Sequence, residues 1–329
     1  MGLDTRQRRI LELLSINCRF SNKDIAKIVR LSEDAVAYQI RKLITEQRLG
    51  KFSIQFDYRF LGYDHYHLLI SLNTIDFDLP ALMKIPTLSS INTSYGKYDL
   101  QLIAIARTTR ELDDTIKRVE ELLDIRDIAI AKYESPYKRF TNIVAPIALE
   151  TPVPPRGKNP IYELRDRSYA MAREIAPIIL DDIDKRIIKH LLTDPRMRLR
   201  ILAQKIGINP EVVRYRINSY VKRGFIINFG LLHDFKKYGL STHYLLLKIK
   251  SLDIPSFKSY LENNKNVFYS AKLLGAYNCI LYITSQDPDS FATQLKTIRR
   301  LIGKSLITMD LLHLETVHKY VQFPEGLLR

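Results

Sequence analysis

Two short stretches of the sequence each place an arginine and a tyrosine on one predicted helix face, and the second stretch adds an asparagine. The second stretch carries Arg214, Tyr215 and Asn218. The first carries Tyr38 and Arg41 at matching positions. Arginine and asparagine form paired hydrogen bonds with the edges of guanine and adenine in the major groove. The pattern therefore indicates base contacts with double-stranded DNA by Arg214 and Asn218, and by Arg41 in the first stretch.

Further polar and cationic residues surround these positions, where contacts with phosphate are expected. Phosphate contacts position a protein on DNA without reading its sequence. A single basic helix face is more often merely solvated, but its recurrence in two matching contexts weakens that interpretation. The full set of candidate DNA contacts is Ser32, Asp34, Tyr38, Arg41, Lys42, Arg48, Lys51, Asn209, Arg214, Tyr215, Arg216, Asn218, Lys222 and Arg223.

Signals for catalysis or a metal are weak. His65 and His67 would share one strand face, but a third ligand at a recognisable spacing is missing, so packing in a sheet is the favoured interpretation. The sequence has no HExxH, glycine-rich phosphate loop or GxSxG motif. Cys18 and Cys279 lie far apart without a CxxC motif and are expected to be buried thiols. We therefore expect no enzymatic activity, no metal and no cofactor.

The segment around the first candidate contacts predicts three short helices. Residues 4–16 have helical apolar spacing, Ser21 and Asp24 resemble a capping box, and Ser32 can cap the third helix. A helix-turn-helix of this kind inserts its last helix into the major groove. The buried stripe of that helix should be Val36, Ile40 and Leu43, which leaves Asp34, Ala37, Tyr38 and Arg41 outward.

The same arrangement returns 177 positions later. Leu3-Asp4 reappears as Leu180-Asp181, and Asn209-Pro210-Glu211 is a strong start for the second recognition helix. Its buried stripe should be Val213, Ile217 and Tyr220, with Glu211, Arg214, Tyr215 and Asn218 outward. A repeat of about half the chain indicates duplication of whole domains and predicts a pseudo-dimer.

A βαββαβ pattern follows each helical segment and predicts a four-stranded antiparallel sheet with two helices on one face, an α+β fold of ferredoxin-like type. Residues 49–56 fit a wing. The first copy has predicted strands at 65–72, 90–95, 99–106 and 125–133 and helices at 79–83 and 110–123. The second has strands at 243–250, 267–272, 277–284 and 306–314 and helices at 254–263 and 288–301.

The net positive charge of the chain is consistent with a polyanionic partner. A formal charge of +15 favours attraction to nucleic acid or to an anionic membrane. No apolar run approaches the roughly 20 residues that span a bilayer, and the N-terminus is charged rather than signal-like. We therefore expect a cytoplasmic protein that acts without a membrane.

Three runs carry a resemblance to a known family. They are Leu-Asp-x-x-x-x-x-Ile-Leu from Leu3, Ile-Ala-Lys-Ile-Val-x-Leu-Ser from Ile25 and Val-x-Tyr-Gln-Ile-Arg-Lys-Leu from Val36. Together they resemble the N-terminal domain of the Lrp/AsnC (feast/famine) regulators, and the βαββαβ unit resembles their ligand-sensing RAM domain. The resemblance implies a sequence-specific DNA-binding transcriptional regulator. Family members dimerise through RAM sheets, so the copies could pair within one chain or between chains, and a homo-oligomer is expected.

The predicted domains follow from this resemblance. They are a winged helix-turn-helix at 1–56, a RAM-like domain at 62–140, a proline-rich linker with a connecting helix at 141–178, a second winged helix-turn-helix at 179–233 and a second RAM-like domain at 240–322.

The resemblance also implies an amino-acid effector near a Gly-x-x-Asp turn. The matching residues are Gly96, Tyr98 and Asp99 in the first copy and Gly275, Tyr277 and Asn278 in the second. Asn278 replaces the acid, so the two effector sites should not be equivalent. The alternative is a tight turn that requires glycine and holds no ligand. The recognition helices also differ, so the halves could prefer different half-sites.

Two other functions stay open at this point. The chain could coat DNA as an architectural protein through charge alone, which predicts weak sequence preference and a strong salt dependence. It could also be an enzyme of the siroheme decarboxylase type, because those enzymes resemble the same two-domain architecture and handle a carboxylated tetrapyrrole with RAM-domain histidines and arginines. The paired base-reading side chains favour the regulator.

Overall fold

The computed structural model describes residues 3–138 and 175–323. Most of the predicted linker and connecting helix lies outside these residues, so that prediction and the five domain boundaries stay predictions. The chain forms two compact units, each built from both halves of the sequence. The helical unit joins the described residues of Met1–Leu61 to Ala176–Lys237. The sheet unit joins those of Gly62–Thr141 to those of Tyr238–Arg329.

The elements of the first half follow the predicted order. They are α1 Thr5–Ile16, α2 Asn22–Val29, α3 Glu33–Thr45, β1 Lys51–Phe56, β2 Asp64–Leu72, α4 Leu79–Met83, β3 Leu88–Gly96, β4 Leu100–Ala106, α5 Thr109–Glu120 and β5 Ile125–Lys138.

The second half repeats this order. Its elements are α6 Asp182–Thr193, α7 Leu199–Ile206, α8 Pro210–Arg223, β6 Ile226–Leu232, β7 Ser241–Ile249, α9 Pro255–Asn263, β8 Val267–Gly275, β9 Cys279–Ser285, α10 Pro288–Ile302 and β10 Leu306–Tyr320.

Helices α2, α3 and α8 of the helical unit begin directly after the residues that the capping signals predict. Ser21 accepts a hydrogen bond from the Asp24 amide, and Ser32 accepts one from the Ala35 amide. Asn209 caps α8 by accepting from the Glu211 amide. Each cap satisfies a first-turn N–H that has no partner within its helix. The caps thus fix where α3 and α8 begin, and with that the direction of each outward side chain.

The predicted wing has a partner that the sequence did not indicate. Strand β1 pairs antiparallel with β6 of the other half, with Lys51 opposite Leu232 and Ile54 opposite Phe229. Ile54 and Phe229 are both fully buried. The strand after each recognition helix therefore joins the two helix-turn-helix segments into one unit.

The sheet unit is a closed eight-stranded sheet in the order β10-β3-β4-β2-β5-β8-β9-β7. Each copy contributes four consecutive antiparallel strands, and the copies join where β5 pairs with β8 and β3 pairs with β10. The copies thus pair within one chain, which answers the question that the sequence left open. The predicted α+β fold is confirmed, with one correction: β5 and β10 are five and six residues longer than predicted at their C-terminal ends, because those ends pair with the other copy.

The residues of β2 and β7 that pack under the helices alternate along each strand, with the period of two that strands impose. Leu68, Ile70 and Leu72 of β2 belong to the core under α4 and α5, and Leu245, Leu247 and Ile249 of β7 belong to the matching core under α9 and α10. His67 lies on the other face of β2, and burial lowers its pKa to about 3. Its Nδ1 lies 3.1 Å from the Gln101 amide nitrogen, so the sheet-packing interpretation is confirmed for this residue.

Both cysteines are buried thiols, as expected. Within residues 3–138 and 175–323, no cluster of three or more His, Cys, Asp or Glu residues could hold a metal ion. Among the helices described, none is long and apolar enough to cross a membrane.

Candidate nucleic-acid interface

The predicted inner stripes of both recognition helices are buried. Val36, Ile40 and Leu43 form the inner face of α3, and Val213, Ile217 and Tyr220 form that of α8. Because these residues fix the rotation of each helix, the opposite faces point to solvent. Tyr38 is 57% exposed and its counterpart Tyr215 is 75% exposed. The exposed residues among the other candidates on these two helices are Asp34, Arg41, Lys42, Arg214, Lys222 and Arg223.

Two outward assignments need correction. Asn218 is half-buried, and its Oδ1 is shielded from solvent. It follows the buried Ile217 and lies one turn before the buried Val221, so it flanks the core rather than lying on the outer face. Ala37 is also half-buried. The exposed reading surface is therefore narrower than the sequence predicts.

Arg214 stays on the exposed face and is paired along the helix. One of its terminal nitrogens lies 2.7 and 2.8 Å from the two carboxylate oxygens of Glu211, three residues earlier. Both side chains are exposed, so this pair adds little stability. In this pairing the guanidinium lies near the N-terminal end of α8.

Arg216, which the sequence predicts to contact phosphate, instead binds two carboxylates of its own domain. Its guanidinium donates to Asp181 at 2.7 Å and to Asp184 at 2.6 Å, which ties α8 to the start of α6. This contact lowers the pKa of Asp181. In the first half the same contact is uncharged, because Gln39 accepts from Gln7 at 3.2 Å.

Several other candidates also contact their own chain. Arg223 donates to the carbonyl oxygens of Ala176 and Pro177, both at 3.1 Å. Glu46 lies 3.9 Å from Lys42 and 3.4 Å from Arg48. These are surface contacts that phosphate could replace. Ser32 and Asn209 act as helix caps, and Lys51 is exposed at the start of β1.

Two arginines that the sequence analysis missed hold the two helix-turn-helix segments together. Arg19 donates to the carbonyl oxygens of Pro195 at 2.6 Å and Met197 at 2.9 Å. Arg196, its counterpart 177 positions later, donates to the Asn22 side chain at 3.1 Å and lies 3.5 Å from the Phe20 carbonyl oxygen. Each arginine thus closes the loop between the first two helices of the opposite half.

The ring contacts of these arginines are reciprocal as well. The Arg19 guanidinium lies 5.3 Å from the ring centre of Phe229, and that of Arg196 lies 5.3 Å from the ring centre of Phe52. Phe52 and Phe229 are themselves 177 positions apart. The sequence does carry a signal for these contacts, because an arginine and a phenylalanine of the first half both recur 177 positions later.

The positive charge of the chain is concentrated in the helical unit. Residues 3–61 contain 12 Lys and Arg against seven Asp and Glu, and residues 176–237 contain 13 against six. In the sheet unit, residues 62–138 contain nine against 12, and residues 238–323 contain ten against six. The described residues of the helical unit therefore carry +12 of the chain's net charge of +15, whereas those of the sheet unit carry +1, so the helical unit is the part that would attract a polyanion.

The candidate effector turns are occupied by contacts of the sheet itself. Asp99 accepts a hydrogen bond from the Leu72 amide at 2.8 Å, and Asn278 accepts one from the Ile249 amide at 2.9 Å. The Asn278 amide nitrogen also donates to the Ile249 carbonyl oxygen at 2.6 Å. Both side chains thus cap the end of a neighbouring strand, a role that either an acid or an amide can perform.

Gly96 and Gly275 lie where the two copies meet. Both have positive φ, +133° and +129°, and a side chain at either position would clash with a backbone carbonyl, that of Leu311 or of Ile130. Glycine is therefore required by close strand pairing. This finding supports the interpretation that the turns need glycine whether or not a ligand binds.

The two glycine-containing turns contribute one tyrosine each to a hydrogen-bonded pair, but only the first turn carries a lysine beside it. The hydroxyls of Tyr98 and Tyr277 lie 3.0 Å apart, and Tyr277 donates to Asp310 at 2.7 Å. Lys97 also donates to Asp310, at 2.9 Å. Burial and these hydrogen bonds raise the pKa of Tyr277. The residue that matches Lys97 in the second turn is Ala276, so the charged cluster is one-sided.

Comparison with known proteins agrees with this arrangement. A family model of the AsnC-type helix-turn-helix domain matches residues 3–44, and a model described as winged helix-turn-helix DNA-binding matches residues 180–227. The HTH-type transcriptional regulator LrpC of Bacillus subtilis is 32% identical over 109 residues, which cover 33% of this chain and 76% of LrpC. The transcriptional regulator AzlB of the same organism is 31% identical over 118 residues, covering 35% of this chain and 75% of AzlB.

Among solved structures, the siroheme decarboxylase NirDL aligns over 98% of this chain and 97% of its own, with a TM-score of 0.62 and 15% identity. At that identity the likeness concerns the fold, and it extends to the tandem arrangement of both halves. The matched helix-turn-helix model and the identity to LrpC and AzlB decide the family. The chain belongs to the Lrp/AsnC family of helix-turn-helix proteins and carries two copies of the family's domain pair.

Proposed function

We propose that this protein is a sequence-specific DNA-binding transcriptional regulator in which a single chain supplies both recognition helices. The observation that carries the proposal is the pair of solvent-facing helices, α3 and α8, held in one compact unit with most of the positive charge. The relatives LrpC and AzlB are named as transcriptional regulators, which supports the same function. A cytoplasmic location follows from chromosomal DNA as the partner.

The test is binding of the full chain to a pool of genomic fragments and to random duplex at two salt concentrations. A regulator should enrich a defined motif, and its affinity for that motif should exceed its affinity for random duplex by about 10³-fold or more at physiological salt. Strong binding without enrichment would indicate the architectural alternative. Absence of binding at near-physiological salt would overturn both DNA-binding functions. Lys117→Ala removes one exposed positive charge from the sheet unit and serves as the control, because it should bind both duplexes as the wild type does.

We further propose that the sheet unit mediates assembly and is the place where a small molecule would act. Because the sheets of the two copies close on each other within one chain, a homo-oligomer would be assembled from pseudo-dimeric chains. An amino-acid effector at Asp99 would compete with the Leu72 amide for the carboxylate. Thermal shift with a panel of amino acids tests this, and a shift with a single amino acid that Asp99→Asn removes would support a site at this turn.

A second candidate is tetrapyrrole chemistry, favoured by the fold shared with NirDL over the whole chain. The solved NirDL structures include a complex with an iron-uroporphyrin III analogue. Incubation of the purified protein with siroheme under anaerobic conditions tests this function through visible absorbance. A saturable spectral change followed by loss of carboxylate would establish it, whereas an unchanged spectrum together with motif-specific DNA binding would support the regulator.

A further inference from the structure

The exposed faces of the two recognition helices agree at some positions and differ at those that could read bases. Asp34 and Glu211 are equivalent acids in the first turn, and Tyr38 and Tyr215 are equivalent exposed tyrosines. The cations do not correspond. Arg214 is matched by Ala37 in the first copy, while Arg41 is matched by the half-buried Asn218 in the second.

The offset between these cations can be expressed as a distance. Arg41 lies four residues beyond the position equivalent to Arg214. At 1.5 Å per residue this is about 6 Å along the helix axis, or roughly two base pairs at 3.4 Å per step. If both helices dock alike, the two guanidinium groups therefore reach different places on the DNA.

The position along the helix also decides which part of the DNA is within reach. In a helix-turn-helix, residues near the N-terminus of the recognition helix contact base edges. Arg214 is the fifth residue of α8 and pairs with Glu211 in the first turn. Arg41 and Lys42 lie in the last turns of α3, whose N-terminal turns present acids and alanine. A cation near the base edges is thus present in α8 alone of the two helices.

The two helices cannot adjust their docking independently. Strand β1 pairs with β6, and Arg19 and Arg196 each bind the loop of the opposite half. Repositioning one helix to bring Arg41 to the bases would break these contacts. The unequal faces are consequently presented in one fixed arrangement.

We infer that the operator is asymmetric and is bound in one orientation. The half-site under α8 is read at base edges by Arg214 beside Tyr215, whereas the half-site under α3 is held through phosphates by Arg41 and Lys42. This assigns Arg41 a different role from the base contact that the sequence suggested. The inference rests on the proposed function, because it presupposes specific binding to DNA.

The experiment uses the motif enriched by the full chain. Each half-site is scrambled in turn, and binding is measured for the wild type, Arg214→Ala and Arg41→Ala. Scrambling the half-site under α8 should weaken wild-type binding by roughly 10-fold or more, and scrambling the other should weaken it by less than about 3-fold. The half-site under α8 is identified as the one whose scrambling no longer matters in Arg214→Ala.

The Arg41→Ala variant supplies the second readout. It should weaken binding to every duplex alike and reduce the slope of log affinity against log salt by about one. The double variant Ala37→Arg with Arg214→Ala should transfer base sensitivity to the other half-site. Thermal melting of each variant checks folding before binding is compared.

The outcomes separate this inference from the proposed function. Failure of the wild type to bind any duplex overturns the proposed function. Specific binding with equal losses for both half-sites, or a larger loss in Arg41→Ala than in Arg214→Ala on the specific site, overturns the asymmetric operator and leaves the regulator intact.

Discussion

Arg19 and Arg196 occupy equivalent positions in the two halves, and each donates hydrogen bonds across to the opposite half. The hydrogen bonds of the two arginines differ in length. Arg19 makes two short contacts with carbonyl oxygens, at 2.6 and 2.9 Å, while Arg196 contacts the Asn22 side chain at 3.1 Å. In addition, the Cys18 amide donates to the Phe229 carbonyl at 2.9 Å. Its counterpart Pro195 has no N–H to donate.

Because the hydrogen bonds of Arg19 are shorter, we expect Arg19 to contribute more to stability than Arg196 does. Arg19→Ala should lower the free energy of unfolding by about 1.5 to 3 kcal/mol, because two charge-assisted hydrogen bonds are lost. Arg196→Ala should cost less, about 1 kcal/mol, since its contacts are longer. Urea denaturation of the full chain measures both. Lys117→Ala, which removes only an exposed ion pair, should stay within about 0.5 kcal/mol. Equal costs for the two arginines would contradict the proposed order.

Arg214 and Lys222 should separate specific from general binding. Arg214→Ala should cost about 1 to 3 kcal/mol of binding free energy on the specific motif and relax its sequence preference. Lys222→Ala should weaken specific and random duplexes alike, as the loss of one phosphate contact does. Titrations with both duplexes at two salt concentrations measure the difference. Equal losses of both variants on both duplexes would rule out a base contact by Arg214.

Stability should fall between neutral and mildly acidic pH because His243 is buried in the sheet unit. His243 lies against Phe291, and its Nδ1 is 2.7 Å from the Nδ1 of His313. Burial lowers the pKa of His243 from 6.5 to about 4 and lowers that of His313. Below pH 6.5 the unfolded chain therefore binds protons that the folded chain excludes, and stability declines as the pH falls toward 4.

The measurement is the free energy of unfolding across pH 7.5 to 5. Glutamine does not bind a proton in this pH range, so the unfolded His243→Gln variant takes up one proton fewer than the unfolded wild type. The stability of this variant should therefore decline less steeply with falling pH than that of the wild type. His190→Gln, a change in the helical unit, is the control. Parallel slopes for the wild type and His243→Gln would show that His243 is not responsible.

Gly96 and Gly275 should be essential for folding rather than for a ligand. Gly96→Ala and Gly275→Ala should each cost more than about 2 kcal/mol, because a β-carbon would meet a carbonyl oxygen at a positive φ. Gly62→Ala also changes a residue of positive φ, but open space surrounds it, so it should cost only about 1 kcal/mol. Chemical denaturation without any added ligand measures all three. Wild-type stability of Gly96→Ala would instead favour a role in effector binding.

Local features of this protein could be read directly from its sequence. Ser32 and Asn209 begin the recognition helices because a cap depends on residues two or three positions away. The buried stripe of Val36, Ile40 and Leu43 follows from helical periodicity alone. The 177-residue repeat then predicted that every element would occur twice.

Contacts between the two halves were decided only in the tertiary structure. The pairing of β1 with β6, the extra length of β5 and β10 and the exchange between Arg19 and Arg196 join residues more than 130 positions apart. Helix and strand periodicity relates only residues a few positions apart, so it does not predict contacts between such distant partners. A contact within one half was also beyond helical periodicity, because Arg216 binds Asp184 of another helix, 32 positions earlier. The sequence determined the buried stripe of each recognition helix, whereas the fold decided which of the remaining side chains are exposed and left for DNA, because a cation near a buried carboxylate binds that carboxylate first.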